Sequence, residues 1–221
     1  MAPVWIFALW LLFAATHMGL SGQRLRPGLV TKLGDRGFQG VYSLVALAIF
    51  VPLVRTYYAH KHAGPYLWSL SQLPGVVWLG YCVMGAAFAL VVAGLVQPSP
   101  AGMVPGRTAV RGVARITRHP VLMGLGLWGL AHLLLTQVHV AELAFFGGFA
   151  IFAIVGCDHQ DRRKLAASES YRAFHAATPF LPFSSLGFFR GLVELPVPIA
   201  VAAGIALAWA TRTHAHRWLA G

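Results

Sequence analysis

The chain has 221 residues, 57% of them hydrophobic and only 10% charged, and its mean hydropathy is +0.67. That balance excludes an ordinary soluble domain and places the chain among membrane proteins. The formal net charge of +11 suits cytoplasmic loops facing anionic lipid, so a lipid bilayer is the expected partner and nucleic acid is not.

Apolar runs near the length that crosses ~30 Å of hydrocarbon recur along the chain. They fall at 3–21, 41–59, 74–96, 119–137, 141–157 and 192–211. The sequence therefore predicts an all-α polytopic membrane helix bundle of about six transmembrane helices, with 1–221 as one domain. The first run has no cationic residue before it, which suits a span better than a cleaved signal peptide.

Charge sets the expected orientation. The first loop carries Arg24, Arg26, Lys32 and Arg36, and the third carries Arg107, Arg111, Arg115 and Arg118. The fifth carries Arg162, Arg163, Lys164, Arg172 and Arg190, against Arg55, Lys61, Arg212 and Arg217 on the other side. This asymmetry predicts cytoplasmic basic loops and both termini outside, as in a bacterial inner membrane.

The connection Val138–Val140 is short, so the fourth and fifth spans should form an antiparallel hairpin. Gly124, Gly126, Gly129, Gly147 and Gly148 lie in these spans and read as close-packing positions. Cys82 and Cys157 belong at different depths, which argues against a bridge.

Residues 158–183 start DHQDRRKL and end with Tyr171, Phe174, Pro179 and Phe180-Leu181-Pro182-Phe183. We expect an interfacial helix ended by Pro179, with the FLPF piece dipping into lipid. Asp161, Arg162 and Arg163 read most simply as a solvated charge cluster. The functional alternative is an anion-binding lid beside Arg118.

Histidine is the chemically informative residue. His119 precedes Pro120, a residue suited to the first helical turn, so its side chain sits where a basic loop becomes a membrane helix. His17 lies at the expected inner end of the first span, at a similar depth. Two facing imidazoles can hold a metal or haem iron; alternatively His17 only bonds a neighbouring helix or reaches the headgroups. His132 lies ~20 Å along the helix from His119 and cannot share a ligand with it. On the opposite side His60, His62, His139, His214 and His216 could form a second metal site, but His60-x-His62 and His214-x-His216 are weak signals and read more simply as ordinary exposed histidines. Glu142 and Glu194 open the fifth and sixth spans as interfacial acids. No nucleophile elbow, phosphate loop or Cys-x-x-Cys occurs.

The chain resembles the NnrU family of small integral membrane proteins. The resemblance runs through Thr16-His17, LGDRGFQGVYSLVALA (33–48), HAGPYLW (62–68), TRHPVLMGLGLWGLAHLL (117–134), DRRKL (161–165) and SYRAFHAATPFLPF (170–183). The family's name links it to nitrite and nitric oxide reduction in denitrifying bacteria. The same domain is similar to 15-cis-zeta-carotene isomerases, membrane enzymes that use haem b. That resemblance implies haem b on His17 and His119, with Arg118, Asp161, Arg162 and Arg163 as cofactor-binding residues. Arg118 is then the expected partner of a propionate. Those isomerases carry a His-His pair where this chain has Phe152-Ala153.

A fainter likeness is to isoprenylcysteine carboxyl methyltransferases, in which Arg118, His119 and Asp161–Lys164 would hold S-adenosylmethionine. That motif's Tyr is Leu122 here. The expected function is haem-dependent, in redox-linked isomerisation or nitric oxide metabolism, on an apolar or small-molecule substrate near the cytoplasmic interface. The alternatives are a methyltransferase and a non-enzymatic accessory protein for a reductase.

Overall fold

The computed structural model describes residues 1–102, 106, 108–211 and 213. Arg107, Arg212, Arg217, His214 and His216 lie outside the described residues. Helices dominate, as expected of a chain that must satisfy its backbone inside lipid. Among the described residues four are long and apolar enough to cross a membrane: α1 (Ala2–Ser21), α2 (Arg26–Ala59), α3 (Val76–Val96) and α5 (Val140–Ala167). The fourth and sixth predicted spans form shorter apolar helices, α4 (Pro120–Leu135) and α8 (Val197–Ala210), of 16 and 14 residues. Among the described residues four full-length spans are thus supported, and six are not confirmed.

Three further differences follow from local chemistry. The first basic loop is mostly helix, because α2 begins at Arg26 and carries Lys32 and Arg36 on exposed positions. Gly34 breaks that helix with φ +70, a conformation that suits glycine. DHQDRRKL does not start a separate interfacial helix. It finishes α5, since no Pro or Gly interrupts the chain between Gly156 and Ala167. The separate amphipathic helix is instead the short α6 (Glu169–Ala177), capped by Ser168, whose hydroxyl accepts from Tyr171 N–H. Another short helix, α7 (Phe188–Val193), leads towards α8.

The chain divides into two compact units. The first comprises residues 1–69 and 136–148. In it α1 packs on α2, and a small antiparallel ladder joins β1 (Tyr66–Ser69) to β2 (Gln137–His139), pairing Tyr66 with His139. Glycine permits one close approach here. A Cβ on Gly148 would overlap the Trp10 indole, whose Nε1 donates to the Phe145 carbonyl at 3.1 Å.

The second unit comprises residues 70–135 and 149–221. Its centre is α3 packed against α4 and α8. Small residues allow this: a Cβ on Gly124 would lie 2.7 Å from the Ala87 carbonyl oxygen, and one on Gly204 would lie 2.6 Å from the Ala89 nitrogen. Leu90, Ala93, Val113, Ile116, Val197 and Ala200 form a buried apolar core beside these contacts. Cys82 and Cys157 are free.

Candidate functional site

The polar centre of the second unit is built on the segment just before α4. Pro120 starts that helix, and residues 116–119 before it form a turn and irregular backbone whose remaining polar groups need partners elsewhere. The 179–183 segment takes them. Arg118 N–H donates to the Pro179 carbonyl at 3.0 Å, and Phe183 N–H donates to the Ile116 carbonyl at 3.2 Å. Thr117 Oγ1 donates to the Phe180 carbonyl at 2.7 Å, and Ser99 Oγ donates to the Arg118 carbonyl at 2.6 Å. The FLPF piece therefore covers this segment. Phe180 lies with its ring centroid 5.7 Å from that of His119 and 5.1 Å from the Arg118 guanidinium carbon.

With its backbone fixed, the segment presents two side chains to one carboxylate. His119 Nε2 lies 2.7 Å from Asp161 Oδ1, and Arg118 Nε donates to Asp161 Oδ2 at 2.8 Å. Arg118 Nη2 adds a 2.7 Å contact to the same Oδ2. The Tyr171 hydroxyl donates to Oδ1, and Arg118 Nη1 donates to the Thr178 carbonyl at 2.7 Å. Arg118 Nη2 also reaches His175 Nε2 at 3.1 Å, which then accepts. Arg118, His119, Asp161 and Thr178 are all buried.

An ionised carboxylate only accepts hydrogen bonds, so Nε2 of His119 carries the proton. Burial first, and then the bond to Asp161, pushes the Tyr171 phenol well up, which keeps it a donor. Lys164 closes one side by donating to the Pro100 and Gly102 carbonyls. One buried cation faces one buried anion, and every guanidinium nitrogen and both carboxylate oxygens have a partner. That is the condition under which a buried pair is tolerated.

The predicted site residues separate accordingly. Arg118, His119 and Asp161 come together. Asp161 is not part of a solvated cluster; its partners come from another part of the chain. Arg162 is exposed and pairs with Asp158 at 2.8 Å one turn earlier, as a solvated charge does. Arg163 is half-buried on the next position of α5. His17 belongs to the first unit, with its ring stacked on Phe13 at 5.0 Å and tilted against Tyr42 at 4.5 Å. Sequence reasoning missed Tyr171 and His175 beside Asp161, and Thr178 and Phe180 beside Arg118. Their signal was the placement of aromatic and polar residues ahead of Pro179.

An apolar groove of about 560 Å³ lies beside this centre in the same unit. Ala86, Ala89 and Leu90 of α3 and Val201 and Ile205 of α8 form its walls. Ile116 and Phe183, the pair joined through their backbones, also line it. Three residues along the chain from Ile116 stands His119.

Comparison with known proteins agrees with this picture of a membrane protein. The family model described as NnrU protein matches residues 5–221. The 15-cis-zeta-carotene isomerase of Arabidopsis thaliana, a chloroplastic protein, is 28% identical over 190 residues, covering 84% of this chain and 50% of that protein. Its Zea mays counterpart is 25% identical over 197 residues, covering 85% of this chain and 51% of the relative. The chain thus spans about half the length of the curated relatives it matches. No solved structure matches it. With the family model matched over nearly its whole length, the chain belongs to the NnrU family.

Proposed function

We propose that this protein is a membrane-embedded isomerase-type enzyme whose substrate is a long, apolar, unsaturated molecule lying in the groove of the second unit. The observation that carries this reading is the groove itself. Its volume of about 560 Å³ falls in the range of small-molecule sites, and its walls are almost wholly apolar. One part of it is formed by the Ile116–Phe183 pair, which the Arg118–His119–Asp161 network holds in place. The related proteins are named for isomerising a carotene, a molecule of this chemical class.

In this reading the polar network positions. It fixes the 116–119 and 179–183 segments against each other, and so fixes part of the groove wall. Most of its donors are already engaged within the chain. Each nitrogen of the Arg118 guanidinium already has a partner within the chain, which leaves a haem propionate no ready place there. The His119 side chain is only 1% exposed, and its Nε2 is committed to Asp161. An iron would have to reach His119 through Nδ1, because Nε2 donates to Asp161, and the burial of the ring closes that approach as arranged. The methyltransferase alternative needs Arg118, His119 and Asp161–Lys164 to face a bound cofactor. Here the first three face one another, and Lys164 faces backbone carbonyls.

The test is conversion of a 15-cis polyene by the detergent-purified chain, followed by chromatographic separation of geometric isomers. The reading predicts faster approach to the trans isomer with the wild type than with Ala86→Phe, which fills the groove without touching Asp161. Equal rates for wild type, variant and buffer would remove it.

A further inference from the structure

We propose that His62, His139 and Glu142 form a binding site for a divalent transition cation of the zinc type, separate from the polar centre described above. All three belong to the first unit. The β1–β2 ladder places them: Tyr66 pairs with His139, Val140 N–H donates to the Pro65 carbonyl at 3.2 Å, and Ala141 N–H donates to the Ala63 carbonyl at 3.1 Å. These bonds tie the loop after α2 to the start of α5. His62 takes a positive φ of 61 to make the turn, an uncommon conformation for a residue with a side chain. Glu142, one turn into α5, is 1% exposed.

The carboxylate holds both histidine backbones. Oε1 accepts from His62 N–H at 2.8 Å and Oε2 from His139 N–H at 3.0 Å. Each carboxylate oxygen keeps a further lone pair. The imidazoles turn towards those oxygens without hydrogen-bonding them. His62 Nδ1 stands 3.5 Å from Oε1, and His139 Nδ1 stands 3.6 Å from Oε2. His139 Nδ1 is buried and has no hydrogen-bond partner.

These separations, one to each carboxylate oxygen, are long for a hydrogen bond and bring the ligand atoms near the spacing that a shared ion imposes. Ligands at ~2.0–2.1 Å from a tetrahedral zinc lie about 3.3–3.4 Å apart. The three ligand atoms all fall within 4.8 Å of one another. Two imidazole nitrogens and one carboxylate oxygen are the donors that zinc and its neighbours prefer, and three protein ligands leave a fourth position for water or substrate. His62 is about half exposed at 54%, which gives an ion a way in.

A purely structural role for Glu142 makes a different prediction. Its bonds to His62 and His139 go to backbone N–H groups, so removing both imidazoles leaves them in place. The experiment uses tag-free full-length protein in detergent, stripped with chelator and titrated with zinc by calorimetry, with cobalt as an optical probe. The proposal predicts one zinc per chain, a higher melting temperature on binding, and visible cobalt bands of tetrahedral type. In the His62→Ala, His139→Ala double variant, zinc affinity should fall on the order of 100-fold or more, since even second-shell losses cost 10–100-fold. His62→Gln, at an exposed position, should show a smaller loss in the same direction if the double variant folds poorly. Absence of zinc uptake by the wild type, or unchanged stoichiometry and affinity in both variants, overturns the proposal.

Discussion

Nε2 of His119 and Oδ1 of Asp161 meet at 2.7 Å although the residues are 42 positions apart. That contact closes a buried network of Arg118, Tyr171, His175 and Thr178 around one carboxylate. Removing the carboxylate strands two buried partners at once. Asp161→Ala should therefore destabilise the protein by about 3–5 kcal/mol. Tyr171→Phe removes one hydrogen bond to a charged group and should cost about 1.5–3 kcal/mol. Thermal unfolding in detergent checks both, and a loss below that of an ordinary surface substitution for Asp161→Ala would contradict the network's role.

Helix packing in the second unit depends on missing side chains. Gly124 meets the Ala87 carbonyl so closely that a Cβ would sit 2.7 Å from the oxygen. Because the obstacle is backbone, it cannot turn aside. Gly124→Ala should cost about 1–3 kcal/mol by overpacking. Gly40→Ala, where a Cβ meets nothing within 4 Å, should cost far less in the same unfolding assay.

One surface pair gives a pH signature. Glu194 Oε2 accepts from Gly112 N–H, and Arg115 Nε lies 3.1 Å from Oε1. The backbone bond chiefly, and then Arg115, holds the Glu194 carboxyl below its ordinary range. A lowered folded pKa gives stability that is present above the unfolded value and lost as pH falls through the folded one. Glu194→Gln should remove this part of the acid sensitivity below about pH 4.5, with an effect under about 1 kcal/mol for so exposed a pair. Melting temperatures between neutral and acidic pH, compared for the two proteins, measure it.

Haem is the expectation that a spectrum decides. The committed Nε2 of His119 makes it a positioning residue here. If detergent-purified protein shows a Soret band, His119→Ala should keep the band while lowering stability. His17→Ala and His132→Ala, measured alongside, identify ligands independently, and nitric oxide added to the reduced protein reports an exchangeable position. Loss of the band in a folded His119→Ala protein would restore that residue as a ligand.

Hydrophobic runs located α1 and α3 almost to the residue, because nothing competes with lipid in deciding such segments. They misjudged α2 and α5 at their charged ends. Arg26, Lys32 and the DHQDRRKL stretch read as loop by charge, yet charged residues continue a helix readily when no breaker intervenes. Within the site, Arg118, His119 and Asp161 were visible as motif residues. Their mutual contact was not, since pairing across 42 positions depends on how α5 and the 116–119 segment pack. His62, His139 and Glu142 were hidden for a similar reason. The His139–Glu142 spacing is local, but His62 arrives through strand pairing, which two very short strands barely announce.

The groove is the centre of the functional account, and ligand binding tests it most directly. Trp78 and Trp209 line it, so a conjugated polyene bound there should quench their fluorescence. The measurement is titration of a cis-polyene into the detergent-solubilised chain, with wild type and Ala86→Phe compared at equal detergent. Saturable quenching in the wild type that is lost in Ala86→Phe is the predicted result. Equal, non-saturating quenching in both would mean that the polyene partitions into detergent and the groove holds no substrate.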